Sequence, residues 1–139
     1  MFIKGAIPFS RVQQTVAMLE KDKKLGAYTI FMGQIRADEL EGRTVVGINY
    51  SAYLEMAQKV LLQIKEEAQK QFDIRQISIL HSLGFVKVGE ASLMIIVGAA
   101  HRKACLTAQE FTIEKIKKEL PVFGKEIFAD GEFVWKENK

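Results

Sequence analysis

The chain has 139 residues, of which 48% are hydrophobic and 27% are charged, and its formal net charge is +3. This length suits one domain with a sizeable core, and without linkers or repeats we treat residues 1–139 as a single unit. The small positive excess, with both signs mixed along the chain, argues against a nucleic-acid-binding surface.

Cysteine content and the length of the apolar runs indicate the compartment. The one cysteine, Cys105, excludes an internal disulfide and suits a reducing environment. The apolar stretch from Leu93 to Ala100 is too short to span a bilayer, and the first residues lack the pattern of a secretory signal. We therefore expect a cytoplasmic protein with no membrane partner.

Three helices are predicted in chain order. The spacing of Val12, Val16 and Leu19 after Pro8 predicts a short amphipathic helix. A long helix is predicted at 53–71, where apolar residues at i, i+3, i+4 and i+7 make one stripe. The members of that stripe are Tyr53, Met56, Ala57, Val60, Leu61, Ile64 and Ala68. The third helix, about 103–119, ends before Pro121, because proline disfavours a helical residue before it.

The remaining apolar segments are rich in β-forming residues and predict strands. These segments are 27–35, 45–50, 74–80, 85–88, 91–100 and 133–135. A polar loop at 36–43 and glycine-marked turns at Gly84 and Gly89 separate some of them. The order α-β-β-α-β-β-β-α-β predicts an α+β fold rather than regular βαβ alternation.

The pair His101-Arg102 is the sharpest local feature of the sequence. It follows an apolar strand and immediately precedes the third helix, whose first backbone N–H groups favour an anion. An imidazole and a guanidinium at that position would make a compact phosphate or carboxylate site. Solvated surface residues would give the same pattern, so spacing alone leaves both interpretations open.

Other candidates are less distinctive by residue type. Lys117 and Lys125 flank Pro121, and a partly desolvated lysine can serve as a base or nucleophile, although most lysines are simply solvated. Arg36 ends a predicted strand and can clamp a phosphate with two hydrogen bonds, or face solvent. Cys105 lies on the apolar face of its helix, which favours a structural role, and His81 in a predicted turn is also interpreted as structural.

The spacing of cysteines and histidines does not predict a metal site, and no glycine-rich phosphate loop is present in the sequence. The residues therefore predict no metal and no cofactor. From the residues alone, the prediction is an α+β domain with a possible anion site.

Several stretches, taken in order, resemble the large subunit of molybdopterin synthase. Gly26–Arg36 (GAYTIFMGQIR) is similar to the GA-x-x-x-F-x-G-x-V-R motif of that family. Tyr50–Ala57 (YSAYLEMA) is similar to Y-E-A-Y-x-x-M-A, with Ser51 in place of the glutamate. His81–Glu90 (HSLGFVKVGE) is similar to H-x-x-G-x-V-x-V-G-E. Further matches are the pair His101-Arg102, Lys117 four residues before Pro121, and the terminal Gly131 and Trp135.

The resemblance covers nearly the whole chain and implies a specific assembly. It implies an α/β hammerhead fold and a homodimer of large subunits within a heterotetramer. A ubiquitin-like small subunit would bind each large subunit and insert its C-terminal Gly-Gly thiocarboxylate into the active site. The implied reaction is sulfur transfer to cyclic pyranopterin monophosphate, which forms the dithiolene of molybdopterin. Cys105 would not be needed as a sulfur carrier.

The resemblance also assigns roles to individual residues. Arg36, His101 and Arg102 are implied ligands of the substrate's phosphate, with Lys117 both binding substrate and stabilising charge or transferring protons. The family usually continues P-x-W-K-x-E, but this chain has Gly124 at the lysine position. Lys125, one residue later, is the candidate for the missing second catalytic lysine, although its side chain could point away. Gly124 keeps open a second interpretation, a non-catalytic module that binds a ubiquitin-like tail or an anionic pterin.

Overall fold

The computed structural model describes residues 1–137, which form three helices and eight strands. The helices are α1 (Phe9–Leu19), α2 (Leu54–Gln71) and α3 (Arg102–Glu119). The strands are β1 (Phe2–Lys4), β2 (Ala27–Gln34), β3 (Glu39–Leu40), β4 (Arg43–Ala52), β5 (Gln76–Lys87), β6 (Ala91–Ala99), β7 (Val122–Phe128) and β8 (Phe133–Trp135).

The strands form a mixed, largely antiparallel sheet. Six of them follow the order β2-β6-β5-β4-β7-β8, while β1 pairs in parallel with β5 and β3 pairs with β4. Every other pairing is antiparallel among the described strands. Three helices with a mainly antiparallel sheet confirm the predicted α+β class.

The central strand β6 explains how the two faces of the sheet are covered. Its residues from Ser92 onward are all buried, because side chains of a strand alternate between faces and here both faces are packed. Leu93, Ile95 and Val97 belong to the core that includes residues of α2 and α3. Met94 and Ile96 belong to the opposite core, which includes residues of α1.

The end of α3 leads directly into the sheet. Leu120 leaves the helical conformation (φ −73°, ψ 121°), as expected for a residue that precedes a proline. After Pro121 the chain forms β7, which pairs with β4 on one side and β8 on the other. The last turn of α3 is therefore joined by a two-residue connection to β7.

The structure corrects part of the predicted secondary structure. Strands β1 and β7 were not predicted, and the polar loop contains the short strand β3. The turn predicted around His81 and Gly84 is wrong, because β5 runs through both residues as one strand. Gly84 has φ +80°, a conformation that glycine adopts at little cost, and it stays paired with Tyr50 of β4. The other predicted helices and strands are confirmed to within a few residues.

The stripe predicted on α2 is only partly buried. Ala57, Leu61, Ile64 and Ala68 are buried as expected. Tyr53 and Met56, which belong to the same apolar stripe, are 67% and 57% exposed. Tyr53 instead meets Phe123 of β7 edge-on, with ring centroids 5.6 Å apart. No helix in residues 1–137 is long and apolar enough to cross a membrane.

Candidate active site

Lys117 lies in the last turn of α3 and is the centre of the candidate site. Surrounding protein atoms desolvate its ammonium group and lower its pKa. The positive charges of Lys136 and Arg36 lower this pKa further, while Glu114 acts in the opposite direction. The residue as a whole is exposed, so a substrate can reach it. A lysine with a lowered pKa gives up and recovers a proton more readily near neutral pH.

Arg36 contributes an exposed positive charge to the same region. It follows the buried Ile35, whose backbone N–H bonds the Glu90 carbonyl at 3.0 Å and so fixes this stretch against the end of the sheet. Its side chain is 78% exposed and makes a two-pronged contact with Asp38, with both N–O distances at 3.3 Å. Such an exposed ion pair is weak, so an incoming phosphate can compete for the guanidinium.

Two uncharged polar side chains of the sheet, Tyr50 and His81, lie on the side of Lys117. The rings of Tyr50 and His81 meet edge-on with centroids 5.1 Å apart, and the Tyr50 hydroxyl lies 3.2 Å from Oγ of Ser92. Burial raises the pKa of Tyr50, against the opposing effect of its Ser92 hydrogen bond. Burial lowers the pKa of His81 to about 4, and the Lys117 charge also lowers it. Both groups are therefore neutral at pH 7, which leaves the positive charges to Lys117 and its neighbours.

His101 and Arg102 lie at the other end of α3. His101 has an extended backbone (φ −127°, ψ 144°) at the N-cap position and makes no side-chain cap hydrogen bond. Both side chains are exposed beside the unsatisfied N–H groups of the first turn, as an anion site requires. At about 1.5 Å of rise per residue, Arg102 lies roughly 22 Å along the helix axis from Lys117. Within one chain, the structure does not bring these predicted ligands together with Lys117.

Lys125 points away from Lys117. Its Nζ lies over the rings of Phe133 and Trp135, 4.4 and 5.0 Å from their centroids. Gly124, the preceding residue, faces the other side of the sheet, where an added Cβ would lie 3.4 Å from Tyr50 Cε1. Adjacent residues of a strand face opposite sides of the sheet, so the side chain of Lys125 does not replace the side chain that Gly124 lacks. Its position does not support the suggestion that it replaces the family's second lysine.

Cys105 has the structural environment that its place in the sequence predicted. Its side chain is buried, and the thiol donates a hydrogen bond to the Val97 carbonyl at 3.0 Å. Burial raises the pKa of the thiol, which disfavours a nucleophilic thiolate. Within residues 1–137, no group of three or more His, Cys, Asp or Glu side chains is arranged to hold a metal ion.

The sequence reasoning missed Lys136. This residue follows β8, and its backbone N–H donates to the Gly124 carbonyl at 2.8 Å. After desolvation, the positive charge of Lys136 does most to lower the pKa of Lys117. Only the pairing of β8 with β7 brings it beside Gly124, and no local pattern in the sequence indicates that pairing. The family resemblance did include Gly131 and Trp135, and these are the sequence features that lie nearest to Lys136.

Comparison with known proteins gives the family. The model of the MoaE protein family matches residues 6–119, well over half of the chain. The chain belongs to the MoaE protein family. This membership confirms the resemblance to molybdopterin synthase large subunits that the sequence motifs indicated.

Relatives and solved structures agree with this assignment of the MoaE family. Molybdopterin synthase catalytic subunit 1 of Aedes aegypti is 48% identical over 117 residues, which are 82% of this chain and 75% of that protein. The crystal structure of molybdopterin synthase from Staphylococcus aureus has a TM-score of 0.83 and 28% identity, and the match covers 98% of this chain and 95% of that one. A chain in the complex of subunits 1 and 2 of molybdopterin-converting factor from Helicobacter pylori shares the fold, with a TM-score of 0.83, 20% identity, and coverage of 99% and 90%.

Proposed function

We propose that this MoaE-family chain is the catalytic subunit of a molybdopterin synthase, a sulfurtransferase of molybdenum cofactor biosynthesis. It transfers sulfur from the C-terminal thiocarboxylate of a ubiquitin-like small subunit to cyclic pyranopterin monophosphate and so forms the dithiolene of molybdopterin. The observation that carries the proposal is the environment of Lys117. The lysine that the family motif assigns to the active site is partly desolvated, accessible and surrounded by further positive charge.

Each candidate residue has a chemical task that suits its surroundings. Arg36, which is exposed and pairs with Asp38, binds the phosphate of the substrate. Lys117 stabilises negative charge that develops when the thiocarboxylate attacks and when the cyclic phosphate opens, and it transfers a proton. Its lowered pKa supports both tasks, because the ammonium is poorly hydrated and releases a proton more easily.

His101 and Arg102 join this site through the dimer. They are roughly 22 Å from Lys117 along α3, farther than one bound pterin can bridge. In a homodimer of large subunits, a symmetric contact can bring the start of one α3 close to the end of the other. We therefore assign the His101-Arg102 pair of one chain to the active site that contains Lys117 of its partner chain.

The partner that supplies sulfur is the ubiquitin-like small subunit, and two copies of each subunit make the heterotetramer. Membership of the MoaE family supports this assembly. The reaction also requires a separate sulfur donor, because Cys105 is buried and cannot present a persulfide or thiolate to the substrate. We assign the protein to the cytoplasm, since Cys105 is a buried free thiol, which suits a reducing compartment.

One observation favours a second function. Gly124 occupies the position of the family's second active-site lysine, which suggests a module that binds a ubiquitin-like tail or an anionic pterin without turnover. A chain of that kind would form the complex with the small subunit but release no product.

A turnover assay separates the two functions. Purified protein, thiocarboxylated small subunit and cyclic pyranopterin monophosphate are mixed, and molybdopterin is detected as its fluorescent oxidation product. A synthase gives product that depends on the thiocarboxylate, and small subunit with an ordinary carboxylate is the control. Complex formation on a sizing column without any product would contradict the proposed function and favour the binding module.

A further inference from the structure

Gly124 has no side chain on the face of β7 that includes Tyr50, and neighbouring side chains pack closely over it. A Cβ added there would lie 2.9 Å from Ile48 Cγ2 and 3.4 Å from Tyr50 Cε1. The first distance is too short without a shift of Ile48, so a longer side chain at this position would displace its neighbours. The absence of a side chain at Gly124 therefore fits the packing of this particular chain.

Lys136 lies beside Gly124 on the neighbouring segment. Its backbone N–H donates to the Gly124 carbonyl at 2.8 Å, which continues the antiparallel ladder of β7 and β8 by one residue. Its Cβ lies 3.6 Å from where a Cβ of Gly124 would be. Directly opposed residues of an antiparallel pair carry their side chains on the same face, so the side chain of Lys136 starts beside the point where that of a lysine at position 124 would start.

We propose that Lys136 supplies the second ammonium of the Lys117 site, in the role of the lysine that the family carries at the position of Gly124. This inference deepens the proposed function and rests on it for the identity of the substrate. The ligand of the paired ammonium groups is a phosphate ester, in the reaction the cyclic phosphate of the pterin. Lys136 is half-buried, so part of its alkyl chain packs against protein while the ammonium can remain accessible.

Electrostatics supports this pairing. The charge of Lys136 lowers the pKa of Lys117, as does the charge of Arg36. Three positive groups that repel one another favour a bound anion, because its negative charge offsets part of their mutual repulsion. Glu114 and the buried Glu126 lie nearby, and their charges act on Lys117 and Tyr50 respectively. Anion binding should therefore raise the pKa of Lys117.

Lys125 is the competing candidate and differs in its surroundings. Its ammonium lies over two aromatic rings on the other face of the sheet. It is not among the groups whose charges set the pKa of Lys117. A Lys125→Met variant tests whether removal of this competing lysine has the effect expected for Lys136. Lys118→Met controls for loss of an exposed positive charge from the last turn of α3.

The first experiment is steady-state turnover of the reconstituted complex with Lys136→Met, Lys136→Arg, Lys125→Met and Lys118→Met. We expect Lys136→Met to lower kcat/KM about tenfold or more, because the variant loses one charge-assisted hydrogen bond to the substrate. Lys136→Arg keeps the charge and should keep most of the activity. A wild-type rate for Lys136→Met, or a larger loss in Lys125→Met, would overturn the inference. Lys136→Gln replaces the methionine variant should the latter fail to fold.

The second experiment does not depend on turnover. With ¹³C-labelled lysine, the Lys117 Cε signal is followed against pH in each variant, without and with inorganic phosphate. Lys136→Met should raise the pKa of Lys117 and weaken the shift caused by phosphate, whereas Lys136→Arg and Lys118→Met should leave both unchanged. An unchanged Lys117 titration in Lys136→Met overturns the inference even if the wild-type enzyme is active. An inactive wild-type enzyme with the expected titration would refute only the proposed function.

Discussion

The two ends of α3 both carry basic residues, yet they are built for different tasks. At the N-terminal end, His101 and Arg102 are exposed and the backbone N–H groups add to their attraction for an anion. At the C-terminal end, Lys117 is partly desolvated and surrounded by Lys136 and Arg36. The first arrangement holds an anion through permanent charge, whereas the second also prepares a group to exchange a proton. Residue type alone does not distinguish them, because packing sets the difference.

Substitution of Lys117 should have the largest effect on the reaction. We expect Lys117→Ala to lower kcat about 100-fold or more, the usual contribution of a positioned acid–base group. Compared with Lys117→Ala, Lys117→Arg should restore substrate binding but little of the kcat, because a guanidinium keeps its charge yet does not release its proton. Steady-state kinetics of the reconstituted complex measure both. Full turnover by a folded Lys117→Ala protein would remove Lys117 from the mechanism.

The histidines at the two ends should differ in their effect on stability. His81, near Lys117, is 8% exposed, and its pKa falls from 6.5 to about 4 on folding. Between these values the unfolded chain binds more protons, so stability is complete above pH 6.5 and falls toward pH 4, by about 3 kcal/mol. Urea unfolding across this range measures the loss. His81→Phe should reduce the pH dependence, while the control His101→Gln, at an exposed position, should retain it. Equal pH dependence in all three proteins would contradict the burial of a neutral His81.

Arg102 tests the N-terminal end, with a smaller expected effect on turnover. Arg102→Ala should raise KM for the pterin about tenfold and leave kcat within about threefold, because it removes a charge-assisted contact that the substrate makes equally before and during the reaction. Arg102→Lys keeps the charge but loses the two-pronged geometry, so its KM should lie between those of the wild type and Arg102→Ala. A fall in kcat at constant KM would instead place Arg102 among the groups that act in the transition state.

The sequence predicted the elements that carry a repeating pattern and missed those that depend on pairing. The helices were predicted because apolar spacing and Pro121 mark them, and β6 because its apolar run suits a strand buried on both faces. Strand β7 was missed because its glycine and charged residues break the pattern, although β4 and β8 pair with it on both sides. The continuity of β5 was missed because Gly84 suggests a turn, yet its positive φ is accommodated within the strand.

The candidate site was predicted in part for the same reason. Motifs indicated Lys117, Arg36 and the His101-Arg102 pair one by one, but not their separation along α3. Lys136 depends on a contact with Gly124 across two strands, which no local pattern in the sequence reveals. Lys125 looked like the substitute because it is adjacent in sequence, whereas alternation along β7 turns it to the opposite face.

Mixing two defective chains tests most directly whether the two ends of α3 form one catalytic site between partner chains. Lys117→Ala chains and His101→Ala/Arg102→Ala chains are unfolded, refolded together in equal amounts, and assayed with thiocarboxylated small subunit at low pterin concentration. Half of the dimers are then mixed, and each mixed dimer has one complete site of two, so the expected rate is about a quarter of wild type. A mixture no more active than its two parents, despite mixed dimers detected by mass spectrometry, would contradict a site shared between chains.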